Sequence, residues 1–208
     1  MRNDAQFAKE VEAAIERIEA LTCVELVFVG RRQCGNYRDV ELSLAIALTA
    51  VVLAVLVYCP VELHQDLLLP VLAMTFTLAA LAVARVPAVR RPFCSTARMR
   101  LQVEREARLH FADESVAATS GRTGLLVLYS TFEDELVLMP DIGVARAIES
   151  SHFHRIVHEF RVARASGVPA TQRALAALDA IGAVVSGPLP PSAANPDELP
   201  NRPRFYDS

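Results

Sequence analysis

Asp141 closes an apolar run, Glu135 to Met139, and stands two residues before Gly143. A carboxylate at a strand end is where open α/β sheets collect ligands. Hard cations take carboxylate oxygens from several chain segments. Glu25 lies near the start of another apolar run, and Glu133 and Asp134 lie in the link between a third run and the one that Asp141 closes. With Asp141 they form a candidate site for a divalent cation, calcium or magnesium. The competing use of Asp141 is mechanical, because Asp is a favoured N-cap and turn residue. The segment SGRTG, Ser120 to Gly124, brings Arg122 and Thr123 together with two glycines. An arginine, hydroxyls and close backbone approach suit a phosphate. The segment lacks the Walker lysine and the Rossmann glycine triplet, and a plain connecting turn is the other reading.

His154 and His158 are four apart on an expected helix, a spacing that can share a metal. Glu159 follows them instead of lying between, so this is not the HExxH arrangement. Phe153, Ile156, Val157 and Phe160 make the stripe that a helix would bury, which leaves the two histidines on a flanking, solvated face. There is no GxSxG elbow and no Cys with a matching His, and no carboxylate pair stands out as a glycosidase pair. Cys23, Cys34, Cys59 and Cys94 follow no CxxC spacing and read as free thiols.

The elements that must position these groups fall into two kinds. Leu42 to Cys59 and Leu67 to Ala84 are each eighteen residues long without a formal charge. About 17–25 apolar residues cross a bilayer as a helix, and a core helix of a soluble protein usually keeps one polar face. The short link PVELHQD makes the pair a hairpin. The link holds Glu62 and Asp66 and no Lys or Arg, whereas Arg31, Arg32 and Arg38 precede the first run and Arg85, Arg90, Arg91, Arg98 and Arg100 follow the second. Arginines stay on the cytoplasmic side. The expectation is two spans of a bacterial inner membrane, both termini cytoplasmic, with the exit arginines facing lipid headgroups and Pro70 in the first turn of the second span. No apolar h-region occupies the first forty residues, so no cleavable signal peptide is expected. With 21 Lys and Arg against 24 Asp and Glu, net charge is −3, which gives no electrostatic footprint for nucleic acid.

The remaining chain alternates helix and strand. Asn3 to Leu21 has Phe7, Val11, Ile15, Ile18 and Leu21 at helical spacing, with Asn3 and Gln6 placed like a capping box. Cys23 to Gly30 is an apolar strand covered on both faces. Ser95 to Asp113 is a helix. Gly124 to Tyr129 and Glu135 to Met139 are strands joined by STFED as an antiparallel hairpin. Residues 144–165 and Thr171 to Val185 are helices, and the proline-rich stretch after Gly187 is a tail. Three strands and about four helices make a small three-layer α/β/α sandwich interrupted by a transmembrane helical hairpin. The expected division is 1–41 and 93–187 folding together, 42–86 as the hairpin, and 188–208 as the tail, since a lone strand at 23–30 is not stable by itself.

These pieces, taken in order, resemble the TPM domain family, in particular its bacterial membrane-anchored members. AAIERIEALTCVELVFVGRRQCGNYRDVE resembles the family's opening helix, then Thr-x-x-Glu (here Thr22 and Glu25), an apolar strand and a Tyr-containing loop. GRTGLLVLYSTFE resembles its Arg-Thr-Gly strand ending in Ser and Glu; MPDIGV resembles its Asp-x-Gly segment; NPDELPNRP resembles its closing tail. Asp134 stands where the family has a basic residue, Pro140 where it has a small one, and Phe153 where it has Trp. The resemblance implies an α/β/α sandwich. It also implies metal binding, calcium included, at acidic loop residues, and for some thylakoid relatives an association with phosphatase activity and repair of membrane complexes. The function expected is therefore an accessory, assembly or quality-control factor for a membrane complex, with the bilayer and a membrane protein as partners. The alternative is a divalent-metal-assisted phosphoester hydrolase, in which Asp141 and nearby acids hold the ion and Arg122 the phosphate.

Overall fold

The computed structural model describes residues 2–59, 64–191 and 199–206. The chain divides into two compact units, residues 1–34 with 100–208, and residues 35–99. The first is a mixed α/β unit. Its chain order is α1 (Arg2–Glu19), β1 (Glu25–Arg31), then, beyond the second unit, most of α5 (Thr96–Asp113), β2 (Gly124–Ser130), β3 (Glu135–Pro140), α6 (Ile142–Ala147), α7 (Ser150–Ala165), α8 (Ala170–Val185) and β4 (Arg204–Tyr206). The strands lie in the order β3-β2-β1-β4. β1 runs parallel to β2, with Glu25 opposite Gly124 and Arg31 opposite Ser130. β1 is also parallel to β4, and β2 is antiparallel to β3.

Strand periodicity sorts the apolar side chains. Leu26, Phe28, Leu125, Val127 and Tyr129 join one buried cluster with Val11 and Ile15 of α1, Phe153 and Phe160 of α7, and Leu178 and Ile181 of α8. Val27, Val29, Leu126 and Leu128 join a second with Val103 and Ala107 of α5, Val116 and Leu199. Both faces of β1 and β2 are thus covered, as an almost wholly apolar strand requires. Each fully buried Leu or Phe here contributes about 1.5–3 kcal/mol.

The structure departs from the sequence expectations at four places. α1 begins at Arg2, so Asn3 is not its N-cap, and Gln6 donates to Glu10 at 2.9 Å, one turn further on. The helix expected over 144–165 is two helices, because Ile148 is extended (φ −128°, ψ 127°) and buried. A kinked-out apolar residue reaches the core only if the helix breaks there. Pro70 is in the second turn of its helix, since that helix begins before the apolar run. The proline-rich tail supplies a fourth strand. β4 is too short for a visible period, and its ring Phe205 fixes it against Phe7 (6.1 Å between centroids) and Phe28 (6.3 Å).

The second unit holds α2 (Arg38–Tyr58), α3 (Gln65–Arg85) and the short α4 (Pro87–Arg90). Both long helices are long and apolar enough to cross a membrane. Ala45, Ala79 and Val83 are buried, while Ile46, Val51, Leu69, Met74 and Leu78 are exposed. Part of the loop between the helices, 60–63 with Glu62, lies outside the described residues, as does the 192–198 part of the tail. The arginines after α3 are not all turned outward. Arg90 is buried and ion-paired with Glu41; Arg98 bonds Asp39 at 2.5 and 2.9 Å and the Asn36 carbonyl at 2.9 Å. Acids in the first turn of α2 take up that charge, and Arg38 and Arg85 remain exposed.

Candidate functional site

The sheet of the α/β unit has two ends, and the residues singled out by chemistry are divided between them. β3 is antiparallel, so the carboxyl end of β3 sits beside the amino ends of β1 and β2. Asp141 and Glu25 therefore share the amino edge. Glu133 and Asp134, in the β2–β3 link, lie at the carboxyl edge. β1 and β2 are seven residues each, roughly 20 Å long at about 3.3 Å per residue. One ion cannot take all four carboxylates.

At the amino edge the two glycine motifs bind each other. Arg122 forks onto Asp141, Nε to Oδ2 at 2.7 Å and Nη2 to Oδ1 at 2.8 Å. Asp141 Oδ1 also accepts the Ile142 N–H at 2.8 Å and so caps α6. The Gly143 N–H donates to the Arg122 carbonyl at 2.9 Å, and the Asp141 N–H to the Gly124 carbonyl at 2.8 Å. Arg122 has φ 54°. Its N–H is held by the Thr119 carbonyl (3.0 Å), and the Thr123 N–H by Thr119 Oγ1 (3.0 Å). Both glycines are required by close approach: a Cβ on Gly124 would stand 2.1 Å from the Val116 carbonyl oxygen, and one on Gly143 2.5 Å from that of Arg122. The Arg122 guanidinium beside it holds the Asp141 carboxyl below the usual carboxylate range, with the Ile142 N–H helping and burial opposing. Glu25 Oε2 accepts the Leu199 N–H at 3.2 Å, which ties the returning tail to β1. Thr22 turns the chain before β1: its hydroxyl donates to the Ile18 carbonyl at 2.8 Å and accepts from Val24 at 3.3 Å.

At the carboxyl edge Glu133 is fully buried. It accepts the Cys34 N–H at 3.0 and 3.2 Å and the Ser130 hydroxyl. Burial pushes the Cys34 thiol up to about 12, with Ser130 opposing and Glu133 adding. Asp134, at φ 52°, bonds Arg173 at 2.6 Å and Arg164 at 3.2 Å; Arg173 lies 4.5 Å over the Phe160 ring. The acid at position 134 thus answers a buried arginine on α8. Among the described residues no group of three His, Cys, Asp or Glu is arranged to hold a metal ion. His154 and His158 are exposed on α7.

Sequence reasoning passes over a second polar cluster at this edge. His110 and Glu114 of the α5 end are buried. Arg31 reaches Glu106 (2.8 Å) and His110 (3.3 Å). Glu114 accepts the Tyr206 hydroxyl at 2.6 Å and pairs with Arg204, so α5 holds both ends of β4. Burial first, then Arg31, lowers the His110 pKa. The signal in the sequence is the i, i+4 spacing of His110 and Glu114.

The class defined by this arrangement is a mixed α/β protein with three parallel strands, an antiparallel edge strand and two span-length apolar helices. The fold is similar to the NMR structure of the BA42 protein from the psychrophilic bacterium Bizionia argentinensis, with a TM-score of 0.55 over 97% of this chain and 94% of that one. At 13% identity that likeness shows the fold alone. No family model and no curated protein sequence matches the chain.

Proposed function

We propose that α2 and α3 cross a bacterial inner membrane, with both chain flanks cytoplasmic. On this reading the α/β unit is a TPM-like three-layer sandwich serving as an accessory, assembly or quality-control factor for a membrane complex. The observation that carries the reading is the outward apolar surface of the hairpin: Ile46 is 60% and Leu69 76% exposed. In water such a surface is unfavourable by about 25 cal/mol per Å²; in lipid it is matched. The positive-inside bias of the flanking arginines supports the orientation. The TPM-like assignment is supported by the mutual bonding of the Arg-Thr-Gly and Asp-x-Gly segments that carry the resemblance. The accessory role is supported by the commitments of the acids: Asp141 to Arg122 and α6, Glu133 to Cys34 and Ser130, Asp134 to two arginines.

Cys59 ends the first span and is exposed, which gives the test. A chain keeping Cys59 alone is treated in intact spheroplasts with a membrane-impermeant maleimide. Labelling from outside is expected. Labelling only after permeabilisation sinks the orientation, and release of the chain by alkaline carbonate sinks the anchoring. For the role, the intact chain in mild detergent is expected to retain a stoichiometric membrane-protein partner. Phosphoester turnover that needs a divalent cation and is lost in Asp141→Asn would favour the hydrolase reading instead.

A further inference from the structure

We propose that β4 is a proton-sensitive strap: in mild acid, protonation of His110 releases it from α5 and uncovers the edge of β1. This inference does not depend on the membrane reading.

Glu106, His110 and Glu114 recur every four residues and share one face of α5. Glu114 lies one residue past the helix but keeps its turn, with its N–H on the His110 carbonyl at 2.9 Å. Two arginines of the sheet meet that row: Arg31 of β1 pairs with Glu106 at 2.8 Å, and Arg204 of β4 pairs with Glu114. Tyr206 of β4 donates to Glu114 at 2.6 Å, and its ring lies 4.8 Å from that of His110. The imidazole is thus set between two acid–arginine pairs. Its tautomer follows from its neighbour. A guanidinium has no acceptor, so Arg31 Nη1, 3.3 Å away, donates to Nε2. Nε2 is therefore unprotonated and the ring is neutral. Nδ1 is buried with no hydrogen-bond partner among the described residues, and Glu114 Oε1 stands 4.0 Å from it.

A proton on Nε2 ends the bond from Arg31 and sets an imidazolium against that guanidinium. Glu106, Asp113 and Glu114 attract the new charge, while Arg31, Arg204 and the loss of water oppose it. Burial first, then Arg31, lowers the His110 pKa; Glu106 and Asp113 oppose, and Arg204 lowers it further. Protonation therefore favours a state in which the row is parted. Arg31 is not the group that leaves, because β1 pairs with β2 over seven residues, Glu25 to Arg31. Arg204 is. Its side chain is 35% exposed, and β4 pairs with β1 through three residues. The Phe205 ring adds to that hold against Phe7 and Phe28, yet is itself half-exposed. The tail before it stays tied at Leu199, whose N–H bonds Glu25 at 3.2 Å. With β4 away, His110 regains water and its ordinary value near 6.5. The released state binds the proton better, so release grows as pH falls below about 6.5. It leaves β1 with an unpaired edge.

The chain has no Trp, so Phe205→Trp places a single indole on β4. The full chain in detergent is followed by acrylamide quenching of that indole from pH 7.5 to 5.0, with far-ultraviolet circular dichroism alongside. The quenching constant is expected to rise by about twofold or more while the dichroism holds. The rise is expected to vanish when His110→Gln is added, since an amide oxygen can accept from Arg31 and takes up no proton. Glu114→Gln, which removes the charge that holds Arg204, is expected to give high quenching already at pH 7.5. Should the indole itself loosen β4, so that quenching is high at pH 7.5 with His110 and Glu114 in place, hydrogen exchange of the unsubstituted chain replaces it. The Arg32 N–H, held by the Tyr206 carbonyl at 3.3 Å, is then expected to lose protection by about threefold or more at pH 5.0, after correction for the intrinsic rate. Low quenching that stays flat with pH overturns the proposal, as does full protection of that N–H at pH 5.0. So does a rise that persists in His110→Gln, and so does one that coincides with loss of the dichroism.

Discussion

The two edges of the sheet are built from similar residues and end in opposite conditions. At the amino edge Arg122, Asp141, Gly124 and Gly143 close on one another through backbone and side-chain bonds, and two Cβ positions are filled by carbonyl oxygens. At the carboxyl edge the glycine at position 30 faces a ring end instead of a carbonyl, and a cleft stays open beside it. An arginine near a strand end is therefore no guide to ligand binding by itself. Arg122 shows why: an acid of the same chain already occupies its fork.

The sharpest way to break the comparison is to add one carbon at each edge. Gly124→Ala drives a Cβ onto the Val116 carbonyl and is expected to cost about 3 kcal/mol, at the upper end for overpacking. Gly30→Ala meets the edge of the Phe205 side chain instead of a backbone carbonyl and is expected to cost less, about 1 kcal/mol. Urea midpoints of the two variants decide it; equal losses would end the distinction between a closed and an open edge.

Asp141→Ala comes next, at about 1–2 kcal/mol for a lost cap. Because Asp141 titrates below the usual carboxylate value when folded, its contribution is complete above the unfolded value near 3.8 and disappears as pH falls through the folded one. The acid limb of the stability curve should flatten in the variant. A limb unchanged in shape would mean that Arg122 does not hold the carboxylate.

The carboxyl edge should titrate at higher pH. His110 is harder to protonate folded than unfolded, so the unfolded chain binds more protons and stability declines as pH falls through about 6.5. His110→Gln should remove that slope in melting temperatures between pH 7.5 and 5.5. A slope retained in the variant would assign it to another group.

The smallest expected effect is none. With its thiol pushed up to about 12, Cys34 should resist a maleimide at neutral pH in the folded chain while exposed Cys59 reacts, as mass spectrometry of the labelled peptides would show. Prompt Cys34 labelling would mean that the carboxyl edge opens around Glu133.

Much of the fold is visible in residue patterns. Phe7, Val11, Ile15 and Ile18 spell α1; the unbroken apolar content of β1 already says that both faces are covered. The β2–β3 hairpin was also visible, and following its geometry one step further places Asp141 beside Gly124 at the amino edge. Strand polarity, not residue type, then decides which acids can meet. Glu133 was not legible as a buried group. A short polar link looks solvated, and its partner, the Cys34 N–H, comes from a distant segment. β4 was hidden for a different reason: three residues have no period, and its stability comes from a ring stack with Phe7 and Phe28 across most of the chain.

β1 and β2 are direct sheet neighbours, yet the two span-length helices are encoded between residues 31 and 124. At about 5–20 residues per second, ribosomes take roughly 5–20 s to make that interval. Throughout it β1 exists as an apolar strand with no pairing partner, and parallel pairing across such a separation is slow to form. The time order of synthesis thus makes the apolar hairpin available before the sheet has paired, and leaves α1, made earlier, to shelter β1 during the wait.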